Sequence, residues 1–173
     1  MSVSGLNGVD DNFKKLCDLG AVETVIKKGI QDVRSEAIVL CPRGDGELMR
    51  SIFAEVERYG DRIIGTCWTN KEYAPYVEFG TGPVGQENHA GIAPDVTVSY
   101  RQTPWWIHES QVDASTAEKY HWPSIETKDG KFYRCSGQAA QPYMYPAMVN
   151  VQSRLPDMFR AEFSTAFDGK AKR

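Results

Sequence analysis

Three sets of residues have the types and spacings from which chemistry could be built. The first is Gly80-Thr81-Gly82-Pro83-Val84-Gly85, a literal GxGxxG. Where such a run joins a strand to a helix, its glycines let backbone amides close on a pyrophosphate. Here Pro83 sits inside the turn, no apolar helical period follows in QENHAGIAPD, and no βαβ repeat surrounds it, so nucleotide binding is not expected. The second set is His89, His108 and His121 with Cys135, donor types that hold zinc when four converge. Their separations match no HExxH, CxxC or HxxxH pattern, and ordinary loop histidines are the simpler reading. The third set is the carboxylates, which lie mostly in helix faces and turns without the pairing that acid/base catalysis needs. Nothing in the spacing fixes a thiolate beside an imidazole for nucleophilic attack. These patterns lead to no expected catalytic residue, metal ligand or cofactor.

The most distinctive segments are poor in ionisable groups. Tyr73 to Gly82 reads YAPYVEFGTG and Gln141 to Met148 reads QPYMYPAM, with Glu78 the only charge in the two. Rigid rings, small residues and turn-formers suit a fixed surface or a junction. Trp105 and Trp106, with Tyr100, Tyr120, Trp122 and Tyr133 near them in sequence, make the middle of the chain strongly aromatic. Three readings of that region stay open: a local core, a protein interface, where Trp and Tyr are enriched, or a platform that stacks on a ligand.

Composition narrows the classes. The 173 residues, 41% of them hydrophobic, suit one domain over 1–173 with flexible ends at 1–12 and 168–173. Lys and Arg total 20 against 23 Asp and Glu, a net charge of -3, which disfavours a module held to nucleic acid by phosphate neutralisation. A protein that merely surrounds DNA is still compatible with that balance. The start MSVSGLNGVDDNFKK lacks a signal-peptide pattern, and no apolar run approaches the length of a membrane span. Cys17, Cys41, Cys67 and Cys135 are scattered, with neither metal nor disulfide-framework spacing, and read as reduced and structural.

Several elements must position these segments. Val22, Ile26, Ile30, Val33, Ala37 and Leu40 recur at steps of three and four and predict a long helix, ended near Cys41 by Pro42. A short turn of helix is expected after it, with Asp45 capping the amides of 46–50. From Ser51 the period becomes two: Ile52, Ala54 and Val56 alternate outward to a turn at Tyr59-Gly60-Asp61-Arg62, and Ile64, Thr66 and Trp68 continue the alternation back. The apolar face of this hairpin needs cover, and the first helix is the candidate. Pro75 suits the first turn of a short helix through Phe79, with Gly80 in the left-handed position that ends it. The stretch 83–140 reads as an elaborated loop or β-arm, with strands at Val96–Arg101 and at Ile125–Cys135, the latter folded about Lys128-Asp129-Gly130. Ala147, Val151, Leu155, Phe159 and Phe163 predict a C-terminal helix that bends or splits at Pro156. The expected class is α+β, with long N-terminal and C-terminal helices packed on a mainly antiparallel sheet.

Taken in order, CPRGDGELMRSI at 41–52, the hairpin, TNKEYAPYVEFGTG at 69–82 and QPYMYPAM resemble the tail-completion, or neck, proteins of long-tailed double-stranded-DNA bacteriophages. That family has a long helix followed by P-x-D-T-G-x-L-x-x-S-I, then strands, Y-A-x-Y-V-E-F-G-T and a P-F-x-x-P-A helix start. Pro42, Asp45, Gly46, Leu48, Ser51 and Ile52 fall on the first pattern, although Gly44 and Asp45 replace its Asp and Thr. Tyr73, Ala74, Tyr76, Val77, Glu78, Phe79, Gly80 and Thr81 fit the second; Pro142, Tyr143, Pro146 and Ala147 fit the third, with Tyr for Phe. The resemblance covers most of 10–165. It implies a non-enzymatic virion protein, assembled in the bacterial host cytoplasm and forming a hexameric ring at the head-to-tail connector. Its partners would be copies of itself, the head-side connector or stopper, and the tail terminator or tail tube, with DNA passing through unbound and no membrane involved. Tyr73, Tyr76, Glu78, Phe79, Tyr143, Tyr145, Trp105 and Trp106 are the candidate subunit-interface residues. The competing readings are a tail terminator or other connector ring, an aromatic-platform domain for carbohydrate or peptide, and a hydrolase centred on His108 or His121.

Overall fold

A computed structural model describes residues 19–44 and 46–168, with side chains from 20 to 164. Cys17, the capping role expected of Asp45 and the expected flexible stretches 1–12 and 168–173, apart from Asp168 at the helix end, lie outside the described residues. The architecture is α+β, with long helices near both ends and two small antiparallel sheets. Packing divides the chain into two compact units, Met1–Asn70 with Pro146–Arg173, and Lys71–Tyr145.

In the first unit, helix α1 (Leu19–Leu40) buries Val25, Gly29, Val33 and Ala37, an unbroken step of four. This stripe differs from the predicted one, and Leu40 is 43% exposed. The reason is that α1 serves two neighbours. Ile26 and Ile30 lie against Gly65 of the hairpin, where a β-carbon would come within 3.1 and 3.2 Å of them. Gly29 lies against the C-terminal helix, where a β-carbon would stand 3.1 Å from Leu155 Cδ2. The Cys41 amide makes its bond to Ala37 O at 2.9 Å before Pro42 stops the helix.

A single turn of helix, α2 (Glu47–Arg50), follows Gly46, whose φ of 80° needs a residue without a β-carbon. Leu48 is buried, and the Ser51 hydroxyl meets Leu48 O at 2.8 Å and Thr69 Oγ1 at 2.7 Å. Strands β1 (Ile52–Tyr59) and β2 (Arg62–Thr69) form the expected hairpin, closed by Gly60-Asp61 with Gly60 at φ 64°. Pairing of Tyr59 with Arg62 places Ala54, Val56 and Arg58 opposite Cys67, Gly65 and Ile63. The covered face therefore carries Ile63, Gly65 and Cys67, while Ile64, Thr66 and Trp68 share the outer face with Phe53, Glu55 and Glu57. Arg34 Nε donates to Ile52 O at 2.8 Å and ties α1 to the base of the hairpin.

The C-terminal helix, Met144–Asp168, is one helix through Pro156, so of the expected bend or split the split does not occur. Proline deletes one amide, and the burial of Ala147 and Val151 with the contact of Leu155 on Gly29 holds the remaining turns. Arg154 also pairs with Glu36 of α1.

The second unit begins with α3 (Ala74–Phe79) and α4 (Gly82–Glu87), and continues through β3 (Trp105–His108), a 3-10 turn at Glu109–Gln111, α5 (Ala114–Lys119), β4 (Ser124–Thr127) and β5 (Gly130–Cys135). The strands make one antiparallel sheet in the order β3-β5-β4, so the predicted loop or β-arm is a small sheet with short helices. The hairpin about Lys128-Asp129 forms as expected, with Thr127 paired to Gly130. Val96–Arg101 is not a strand; Tyr100 instead donates its hydroxyl to Phe79 O at 2.8 Å. The C-terminal helix is α6.

Candidate functional site

The first aromatic-proline segment and residues 141–145 of the second are laid side by side in the second unit. Thr81 and Gln138 form an antiparallel bridge through Thr81 N to Gln138 O at 2.9 Å and Gln138 N to Thr81 O at 3.1 Å. On either side, Val84 N donates to Ser136 O at 3.2 Å, Gln141 N to Val77 O at 2.8 Å, and Ala140 N to Asn88 O at 2.8 Å. The Gln138 side chain adds a bond to Tyr76 O at 2.8 Å.

Glycines make this approach possible. At Gly137, φ is 90° and a β-carbon would fall 1.9 Å from Thr81 O; at Gly80, φ is 75° and it would fall 2.7 Å from Ala140 N. Gly80 does end α3, but its ψ of 177° puts it in an extended region open only to glycine, not in the left-handed helical one.

Glu78 completes the junction. It is 6% exposed, and its carboxylate accepts from Tyr143 N at 2.8 Å and Met144 N at 3.0 Å through Oε2, and from Tyr145 N at 3.0 Å through Oε1. A helix starting at Met144 leaves the amides of 143–146 without intrahelical partners. Glu78 takes the first three and Pro146 has no amide to offer, so the start of α6 is fully answered by one side chain. The positive end of the helix dipole in turn stabilises the buried carboxylate.

The remaining predicted interface residues divide by exposure. Tyr73 at 40%, Tyr76 at 59% and Trp106 at 47% present their rings to solvent. Phe79, Tyr145 and Trp105 are half-buried, and Tyr143, at 1% exposed, belongs to the core. Trp105 packs beside Gly82, with the Arg101 guanidinium 5.2 Å from its ring centre. The elbow formed by Tyr73 to Gly80 thus holds Pro75 and two exposed tyrosines on a backbone fixed by these bonds. Gly137 and Gln138, which do much of that fixing, carried no signal in the sequence beyond a glycine between Cys135 and the proline cluster, and Tyr100 was visible only as one of the aromatics of the middle region.

Each chemical motif has structural employment. The amides of Thr81, Val84 and Gly85 in the GxGxxG run donate to Gln138 O, Ser136 O and Thr81 O, leaving them turned away from any phosphate. His108 Nδ1 accepts from Ser110 N at 3.2 Å, so Nε2 carries the proton and donates to Asp129 O at 2.9 Å; the partner is the backbone of Asp129, not its carboxylate. His89 Nδ1 meets Gln86 O at 2.6 Å. His121, at φ 52°, sits just past α5, where His121 N bonds Glu118 O and Trp122 N bonds Ala117 O, the pair of a Schellman termination. Burial pushes the Cys67 and Cys135 thiols up, opposed weakly by Arg34 and by the Gly137 amide respectively, which keeps both in the unreactive protonated form. Among the described residues, no group of three or more His, Cys, Asp and Glu converges as metal ligands do, and no helix is long and apolar enough to cross a membrane.

Residues 9–80 match the HK97-gp10-like family model, whose description is "Bacteriophage HK97-gp10, putative tail-component". The matched stretch is less than half of the chain and takes in α1, α2, the hairpin and α3 with Glu78 and Gly80. It agrees with the resemblance to tail-completion proteins of long-tailed phages. No curated protein matches the chain, and no solved structure does.

Proposed function

We propose that this protein is a structural component of the phage neck, forming a hexameric ring that completes the tail and joins it to the head connector. The observation that carries the proposal is the elbow. Tyr73, Pro75 and Tyr76 stand exposed on a segment that belongs to the phage tail-component match and is pinned by Glu78 and Gln138. Exposed aromatics on a fixed backbone bind protein surfaces at low entropic cost. A closed ring repeats one heterologous contact, so each subunit needs two different complementary faces; the elbow supplies one, and exposed Trp106 is the candidate for the other. Glu78, Phe79, Tyr143, Tyr145 and Trp105 position these faces from beneath. The protein performs no catalysis. The net charge of -3 lets DNA pass without adhering to the wall. The partners are the head-side stopper, the tail terminator or tube, and other copies of this chain, all in the virion after assembly in the host cytoplasm.

The test is an infection in which the gene is silenced and restored in trans. Separate DNA-filled heads and free tails without the protein, joined when it is returned, are the expected result. Joined, infectious particles in its absence would refute the neck role, and overlong tails would favour a tail terminator instead. The exposure of Trp106 is also what a stacking platform for carbohydrate or peptide would need, and saturable quenching of Trp fluorescence by such a ligand would support that reading.

A further inference from the structure

The β3-β5-β4 sheet has one covered face and one open face. Pairing of Trp105 with Cys135 and of Ile107 with Tyr133 puts these side chains on the face where Tyr133 and Cys135 are buried. Alternation then puts Trp106, His108, Phe132 and Arg134 on the other face, where Ile125 of β4 joins them opposite Phe132. Trp106 and Ile125 are 47% and 46% exposed, and His108 meets Phe132 edge to face at 5.0 Å. Arg134 is exposed directly across from Trp106, and among the described residues no carboxylate pairs with it. The open face is therefore aromatic and apolar with one guanidinium set in it.

The elbow has the matching chemistry. It presents Pro75 and Tyr76 to solvent, and Glu72, immediately before it, is exposed and likewise without an ion pair among the described residues. Trp105, on the covered face of the sheet, packs beside Gly82 just past the elbow, so the open face turns away from the elbow of its own chain. A second copy meets no such restriction.

We infer that the elbow of one copy docks on the open face of the β3-β5-β4 sheet of the next copy, with Pro75 and Tyr76 on Trp106 and Glu72 paired to Arg134. This rests on the ring reading and names the contact that closes the ring. Proline and tyrosine rings pack well on an exposed indole, and a carboxylate meets a guanidinium through two parallel hydrogen bonds, which fixes orientation as well as attraction. Two unlike surfaces on one chain, each fitting the other, make a heterologous contact that repeats from copy to copy. Both are fixed before they meet, the elbow by Glu78 and Gln138 and the open face by its strand ladder, so little freedom is lost on docking.

Photo-crosslinking in assembled particles tests this. A Tyr76→p-benzoylphenylalanine variant is supplied in trans during infection, and the purified particles are irradiated, digested and mapped. The expected result is a ladder of multimers of this chain, joined from position 76 to a peptide that holds Trp106 or Arg134. Glu72→Arg and Arg134→Glu should each weaken the ladder severalfold, and the double variant should restore it, which damage to folding would not allow. Infectivity of the same charge variants without the photoprobe should follow the same pattern. Links from position 76 to another virion protein or to a different part of this chain, or no multimer at all, would overturn the inference, as would a double variant no better than either single one. Particles that need the protein to join head to tail but lack the link would refute this contact and leave the neck reading standing; heads and tails that join without the protein would refute the neck reading itself.

Discussion

Glu78 lies in an apolar-aromatic segment and faces the first three amides of α6. A carboxylate is the one side chain that can accept all three bonds at once, each charge-assisted and worth about 1.5–3 kcal/mol. Glu78→Ala removes every acceptor and leaves buried amides unanswered, so a loss of about 3 kcal/mol is expected in urea unfolding. Glu78→Gln keeps one oxygen but turns an amine group toward a donor, and its loss should fall between wild type and alanine. Equal stability of all three proteins would show that the junction is held by the backbone bridge alone. The sequence made Glu78 conspicuous as a lone charge but could not show that it faces inward, because its partners are main-chain amides more than sixty residues away.

At the level of elements, the long helices and the first hairpin were legible because each has a period of its own: fours and threes in α1 and α6, twos in β1. The face of β2 was not. Its covered positions are Ile63, Gly65 and Cys67, and the glycine breaks the apolar alternation just where Ile26 and Ile30 come close. Val96–Arg101 alternated like a strand and is not one, since alternation does not supply a partner. Gly29 shows the same dependence on a neighbour. It is buried in α1 against Leu155, and Gly29→Leu would force four carbons into that contact, with an expected cost of about 1–3 kcal/mol on thermal unfolding. His121 offers the opposite sign. A left-handed helix terminus costs a side chain about 1 kcal/mol that glycine avoids, so His121→Gly should raise stability by about that amount. A fall in stability would show that the imidazole makes a contribution beyond the turn.

For the whole molecule, what was legible was the α+β class and the likeness to a phage tail component, and what was not was how its two aromatic segments meet. Tyr73 and Tyr76 were singled out with Tyr143 and Tyr145, yet the first pair is exposed while Tyr143 is core, a division set by the Glu78 bonds that draw residues 143–145 inward. Tyr73→Ala with Tyr76→Ala should accordingly leave the unfolding transition within about 1 kcal/mol of wild type, as surface changes do, while infectivity falls. Unchanged infectivity would remove the elbow from the interface. The most direct measurement is an electron cryo-microscopy reconstruction of the virion neck. A ring of this chain at the head-tail junction, with Tyr73 and Tyr76 buried against a neighbouring subunit or connector protein, is the predicted result; density for the chain elsewhere in the particle, or a ring in which both tyrosines face solvent, would contradict it.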